Sequence, residues 1–249
     1  MPLRKRLITV LTFQDGVLFR TKQFTPDYRY TANFIDAWSV DEIVALDVTR
    51  TGGGIQTAFL DVVGNLAKSC FVPLAAGGGV RTIEDVRILL DAGADKVIVN
   101  TGAIDRPELI SEIAYSYGSQ CVVVSVDAMR HDSGAYEVCA AHGKRETGMT
   151  PTAWAQRATE LGAGEIFITS IERDGSLEGY DIALCRQISD AVSVPVLICG
   201  GAGNWQHFAD GYTEGGADAV CTSNIYHFTE ASIRSAKMFL AGRDIPVRA

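Results

Sequence analysis

Val72-Pro-Leu-Ala-Ala-Gly-Gly-Gly-Val-Arg81 decides the fold. Its apolar first half reads as a strand. Three glycines follow, and a helix is expected to open at Thr82, with Glu84 and Asp85 in its first turn. Glycines at such a turn let the backbone approach a ligand closely. The helix after it points free N–H groups and a positive dipole end at that place, which suits an anion such as phosphate. A second copy stands at Val194-Pro-Val-Leu-Ile-Cys-Gly-Gly-Ala-Gly203, and an offset of 123 residues relates the two. The same offset carries Gly93-Ala-Asp95 onto Gly216-Ala-Asp218, Asn100-Thr101 onto Ser223-Asn224, Glu42-Ile43 onto Glu165-Ile166 and Arg50 onto Arg173. The chain therefore reads as two fused halves, and a repeat of this kind constrains a fold more than any single motif.

Working outward, apolar β-branched strands are expected at 7–13, 42–47, 72–76, 96–100, 121–127, 165–170, 194–199 and 219–222. Helices are expected at 32–38, from the Thr51-Gly-Gly-Gly54 loop to about Lys68, and at 82–91, 106–117, from Thr150-Pro151 onward, 180–191, 204–214 and 229–240. Proline suits the first helical position. Polar stretches at 17–24 and 129–148 read as hairpin arms. Strands without in–out alternation are covered on both faces, as in a parallel sheet wrapped by helices. Eight β-then-α units in 249 residues close into a (β/α)8 barrel, taken as one domain over 1–249.

Composition narrows the function. The net charge is −8 with no basic block, which argues against nucleic acid or an anionic membrane as partner. No apolar run reaches transmembrane length, and basic Met1–Arg6 leads into a strand rather than a signal-peptide core. The six cysteines lack CxxC spacing and read as reduced, buried thiols, so the cytoplasm is the expected compartment. No His/Cys/Asp/Glu group has metal-ligand spacing, and no cofactor is implied.

In this fold chemistry sits at the C-terminal strand ends. Those ends supply Thr12, Asp47, Gly79, Asn100, Thr101, Asp127, Ser170, Gly200, Gly201, Ser223 and Asn224. Asp127 is read either as a general acid or base with a pKa raised by burial, or as a rim carboxylate capping a loop. Asp174 divides between loop cap and ligand contact in the same way. His227, set between aromatics, reads as packed, and His131 and His142 as solvated. At the opposite rim Arg6, Glu42, Lys96 and Glu165 begin strands. Their side chains can meet on the barrel axis as a neutral ring of ion pairs, which is either a functional gate or a structural plug.

Nine motifs carry a family resemblance over nearly the whole chain: Gly77-Gly-Gly-Val-Arg81, Gly93-Ala-Asp-Lys-Val97, Gly118-Ser-Gln-Cys-Val122, Val126-Asp-Ala128, Gly162-Ala-Gly-Glu-Ile166, Arg173-Asp-Gly175, Gly179-Tyr-Asp181, Gly200-Gly-Ala-Gly203 and His227-Phe228. The chain resembles the cyclase subunit of imidazole glycerol phosphate synthase, the HisF family. The resemblance implies a duplicated half-barrel with two phosphate sites. It implies ammonia received from a glutaminase on the N-terminal face and added to a bisphosphorylated substrate. By position it implies one phosphate site at Gly79, Asn100 and Thr101, and another at Gly175, Gly201, Ser223 and Asn224, where the family usually has Ala-Ser at the last two. It implies an ammonia gate at Arg6, Glu42, Lys96 and Glu165, glutaminase contacts at Asp95 and Gln120, and a catalytic role for Asp127.

The first catalytic aspartate of the family is absent. Thr9-Val-Leu-Thr-Phe13 puts Thr12 in its place, and Arg20 replaces a lysine that normally lies near the phosphate. The segment between Phe24 and Asp41 is shorter than usual. A threonine hydroxyl cannot do a carboxylate's acid–base work at neutral pH. Ammonia-delivery positions are thus kept while a cyclisation position is lost. This pattern resembles HisF-like paralogues of surface-polysaccharide clusters, in which the barrel hands ammonia on to a sugar amidotransferase. Two alternatives stand beside that reading: an active histidine-pathway cyclase with a relocated acid–base group, and a non-catalytic phosphate-binding scaffold.

Overall fold

The computed structural model describes residues 4–22, 25–27, 40–50, 54–223 and 233–248. The helix expected at 32–38, the loop residues 51–53, Asn224 and His227 lie outside the described residues, as does the start of the last helix.

The strands are β1 (Arg6–Gln14), β2 (Val17–Lys22), β3 (Thr25–Asp27), β4 (Glu42–Asp47), β5 (Leu74–Gly77), β6 (Lys96–Val99), β7 (Val122–Arg130), β8 (Tyr136–Ala140), β9 (Arg145–Glu146), β10 (Glu165–Ser170), β11 (Val196–Cys199) and β12 (Ala219–Thr222). The described helices are α1 (Thr57–Ser69), α2 (Ile83–Asp91), α3 (Thr101–Asp105), α4 (Glu108–Tyr117), α5 (Pro151–Glu160), α6 (Ile182–Ser189), α7 (Trp205–Thr213) and α8 (Ile233–Ala241). The chain-order series β1, β4, β5, β6, β7, β10, β11, β12 pairs in parallel, and β12 pairs back onto β1. This is the closed eight-stranded barrel that the repeat implied. The two polar arms are antiparallel hairpins: β2 runs along β1, β8 runs along β7, and β9 runs along the outer edge of β8. Among the described residues no helix is long and apolar enough to cross a membrane.

Strand parity sorts the apolar residues into two cores, because successive side chains of a strand point to opposite faces. Ile8, Val10, Val44, Ala75, Ile98, Val123, Phe167, Leu197, Ala219 and Cys221 fill the barrel interior. Their neighbours in sequence, such as Leu7, Leu11, Ile43, Val97, Val124 and Ile166, pack outward against the helices. Parity also fixes the polar residues. Arg6, Glu42, Lys96 and Glu165 share the inward parity at the lower ends, and Thr12, Asn100, Asp127 and Thr169 share it at the upper ends.

The halves repeat each other's hydrogen bonds. The Asp95 carboxylate accepts from the Leu74 N–H at 2.8 Å, and the Asp218 carboxylate accepts from the Val196 N–H at 3.1 Å. The offset is not constant, however. Asp47 and Ser170 are 123 apart, yet Gly78, whose added Cβ would meet the Asp47 carbonyl, matches Gly200, whose Cβ would meet that of Ser170. The glycine segments are thus related by 122 residues, with one-residue length changes in the loops on either side. Gly78 has φ +115° and Gly200 φ +91°, so the close approach also needs a backbone that only glycine adopts freely.

The helices that follow these glycines differ from expectation. The start of α2 is closed by its own side chains: the Asp85 carboxylate accepts from the Arg81 and Thr82 N–H groups, and the Thr82 hydroxyl accepts from the Asp85 N–H. At α7 the Asn204 amide oxygen accepts from the His207 N–H, and His207 Nδ1 accepts from the Gly203 N–H. Capping thus takes up the third helical N–H of each helix and backbone N–H groups just before its start. The helix expected over 106–117 also begins earlier and in two pieces. Thr101 starts α3 directly after β6, and Pro107 precedes α4, where its missing N–H costs nothing.

Candidate functional site

At the lower end of the axis, Arg6, Glu42, Lys96 and Glu165 form a closed ring of alternating charge. The Arg6 guanidinium lies 2.8 Å from both Glu42 and Glu165. The Lys96 ammonium lies 2.9 Å from the same two carboxylates. β4, β6 and β10 each supply one member, as alternate strands of a barrel do. The fourth alternate strand, β12, supplies Ala219, which pairs with Arg6 in register. A methyl group there leaves room for the guanidinium to reach in from the neighbouring strand. Burial alone would lower the Arg6 pKa, but the Glu165 and Glu42 carboxylates outweigh it and hold it raised. The expected meeting of four charges is thus met by geometry.

Beside the ring, Asp95 and Gln120 are both exposed on the lower face. The Gln120 amide donates to the Tyr117 carbonyl at 3.2 Å. Asp218, which repeats Asp95, is instead held by Lys5 at 3.2 Å.

At the upper end, Asp127 is buried on β7. The Asn100 amide donates to one of its oxygens at 2.7 Å, and the Ser125 hydroxyl, two residues back on the same face, donates to the other at 3.4 Å. Burial pushes its pKa up to about 7; the two hydrogen bonds pull it down and Asp174 nearby adds to the rise. A carboxyl group poised there can give or take a proton at neutral pH. Both of these hydrogen bonds come from side chains rather than from loop N–H groups.

Thr12 occupies the matching place in the other half. It pairs with Leu46 as Asp127 pairs with Thr169, and Leu46 and Thr169 are repeat equivalents. Asn100 is drawn into the acid's own environment, and among the described residues its buried Oδ1 has no hydrogen-bond partner. The Thr101 hydroxyl accepts from the Ala141 N–H at 3.0 Å, which leaves its proton free to point elsewhere. Gly79, with φ +72°, packs on the Gly54 carbonyl. On the opposite side of the rim, a small open cleft is lined by Asp174, Gly175, Gly201, Cys199, Cys221 and Ser223, among others. Gly175, Gly201 and Ser223 thus converge as expected.

The model of the histidine biosynthesis protein family matches residues 9–232. The chain belongs to that family. The match covers both halves, the upper rim and three members of the ring, so the HisF-like character read from the motifs holds over almost the whole chain. Proteins of this HisF-like type usually work with a partner subunit.

One sequence reading needs correction. The hairpin arm brings His131, Glu137 and Glu146 together, with ligand atoms within 4.8 Å of one another, although their spacing carries no metal signature. Antiparallel pairing of β8 with β7 and β9 makes neighbours of residues far apart in sequence. His131 is accordingly half-buried rather than solvated, 2.9 Å from Glu137. The six cysteines are free thiols, as expected. Two participants were missed. Ser125 was visible from period-2 parity with Asp127. Ala219 carried no signal, since a small residue marks a space only once its neighbour's reach is known.

Proposed function

We propose that this HisF-like barrel receives ammonia at its N-terminal face from a glutaminase subunit and passes it up the axis. There it serves nitrogen transfer to a phosphorylated acceptor or to a separate sugar amidotransferase. The observation that carries the reading is the closed ion-pair ring beneath an apolar axial interior. Four charges that neutralise one another need no counter-ion and present a barrier to ions. Above them Val10, Val44, Ile98, Val123 and Leu197 offer only apolar surface, which suits a small neutral molecule better than a charged one. Movement of the Lys96 ammonium away from its two partners would open the ring on one side. Asp127, with its pKa near 7, would manage the proton that distinguishes ammonium from ammonia.

The acceptor's phosphate groups would rest at the two upper corners, Gly79/Asn100/Thr101 and Gly175/Gly201/Ser223, with Asn224 as a further contact of the second. Asp95 and Gln120 would meet the partner. Thr12 argues against full cyclase chemistry, because removal of one general acid–base group costs about 10²–10⁴ in rate.

One observation favours the second reading, an active histidine-pathway cyclase: the raised Asp127 pKa is suited to acid–base catalysis. Supplying saturating ammonium and the histidine-pathway bisphosphate separates the two. Turnover equal to that of a cyclase with both aspartates would sink the ammonia-delivery reading. Slow turnover together with glutamine-dependent amidation in a reconstituted complex would uphold it.

A further inference from the structure

The corner of the upper rim around Gly79 carries a feature that no family motif includes. The tip of the β8–β9 hairpin folds onto it. Ala141 donates its N–H to the Thr101 hydroxyl, and Arg145 pairs with Asp105, so both ends of the tip are pinned to α3. Ala141 and His142 are consecutive residues with positive φ, +52° and +60°. Non-glycine residues in that region cost about 1 kcal/mol or more each and persist where the surroundings demand them. The His142 ring lies within the field of Arg50 and Lys144, and of Asp47 at the end of β4. Asp47 also borders the glycine turn, since its carbonyl abuts Gly78, and it accepts the Thr49 N–H at 2.9 Å. In a chain of net charge −8, Arg50, His142 and Lys144 thus gather at one glycine-lined corner.

We propose that His142 is an anion-binding residue of this corner, donating to a tetrahedral dianion beside the Thr101 hydroxyl and taking up a proton as the anion arrives. The inference rests on the reading of this corner as a phosphate site and adds to it a residue that sets affinity and pH dependence. Burial, then Arg50 and Lys144, lower the pKa of the empty ring, with Asp47 opposing. The ring is therefore neutral near pH 7 before binding. A dianion between the ring and the two cations reverses the local field and raises that pKa, so binding draws in a proton. Affinity then falls as pH rises from 6 to 8.

Calorimetric titration of the full chain with sodium sulfate tests this, because sulfate carries no titrating proton of its own near neutrality. Runs at pH 7 in two buffers of different protonation enthalpy give the number of protons taken up. Wild type is expected to bind with net proton uptake. His142→Gln, which keeps a donor but does not titrate, should bind roughly tenfold more weakly at pH 6, lose the uptake and become flat in pH. His142→Ala should behave likewise, and both should keep the wild-type melting temperature because the contacts that pin the tip belong to Ala141 and Arg145 rather than to the His142 side chain. If wild type binds and both variants match it in affinity and uptake, His142 has no such role, whichever of the two upper corners holds the anion. If wild type binds no sulfate or phosphate at all, the corner itself is wrong and the inference falls with it.

Discussion

The two halves of the barrel repeat each other's backbone and divide the chemistry between them. Asp95 and Asp218 accept the same strand N–H in each half, and Gly78 and Gly200 press on equivalent carbonyls. Yet at the matching upper position the second half carries an acid, Asp127, and the first half carries Thr12. Both cations of the ring come from the first half, Arg6 and Lys96, while the two acids are true repeats, Glu42 and Glu165. The lower carboxylate is exposed in the first half and tied to Lys5 in the second. Duplication fixed the scaffold. Hydrogen bonds from backbone to side chain are needed to close each half, so they tolerate no difference, whereas side chains facing the axis are free to specialise.

The sharpest way to break the asymmetry is Thr12→Asp. With saturating ammonium and the histidine-pathway bisphosphate, it should raise turnover about 10²-fold or more above wild type, provided Asp127 is intact. Turnover that stays at the wild-type level would mean that the second half does not need an acid opposite.

Next in size is Lys96→Ala. It leaves Glu42 and Glu165 with Arg6 alone, and a buried pair broken on one side costs roughly 3 kcal/mol. The melting temperature should fall while the circular dichroism keeps its shape, and glutamine should be hydrolysed without matching product in the reconstituted complex. Unchanged stoichiometry would reduce the ring to a plug.

Asp127→Asn sharpens the comparison through pH. The folded pKa, about 7, lies above the ordinary 3.8, so the wild-type chain holds an extra proton between those values. The stability from this group is fully present below about pH 3.8 and is lost as pH rises through 7. The variant lacks this loss. It should therefore gain stability over wild type from pH 5 to pH 8, by at most about 3 kcal/mol. A pH-independent difference in denaturant midpoints would place the Asp127 pKa at an ordinary value.

The smallest effect separates the lower carboxylates. Asp218→Asn loses its pairing with Lys5 and should cost ~1 kcal/mol, and Asp95→Asn should cost less. Binding should show the reverse order, with Asp95→Ala weakening glutaminase association about tenfold and Asp218→Asn leaving it unchanged. Equal effects on binding would make the two halves of the lower face equivalent.

Much of this was legible in the residues. The glycine repeat gave eight β-then-α units, and strand ends named the polar rim. Glu42, Lys96 and Glu165 announced the ring because alternate strands share a layer. Other features depend on what lies across space. The glycine turns foretold helix starts, but not that Asp85 and His207 would occupy the donors there. The helix expected from 106 left out the short helix that opens directly after β6. His131, Glu137 and Glu146 became neighbours only through hairpin register. Asn100 reads as a phosphate ligand in sequence and is found bonded to Asp127, because inward parity and upper height bring those two together on adjacent strands.

The unequal supply of charge to the ring bears on assembly. Cut before β7, the first segment would carry Arg6, Lys96 and Glu42 at its open axis, an excess of one positive charge, and the second would carry Glu165 alone. Two copies of either segment would face like charge across a closed seam, whereas the unlike segments cancel. The ring thus acts as a matching code, favouring reunion of complementary fragments over self-pairing of either one.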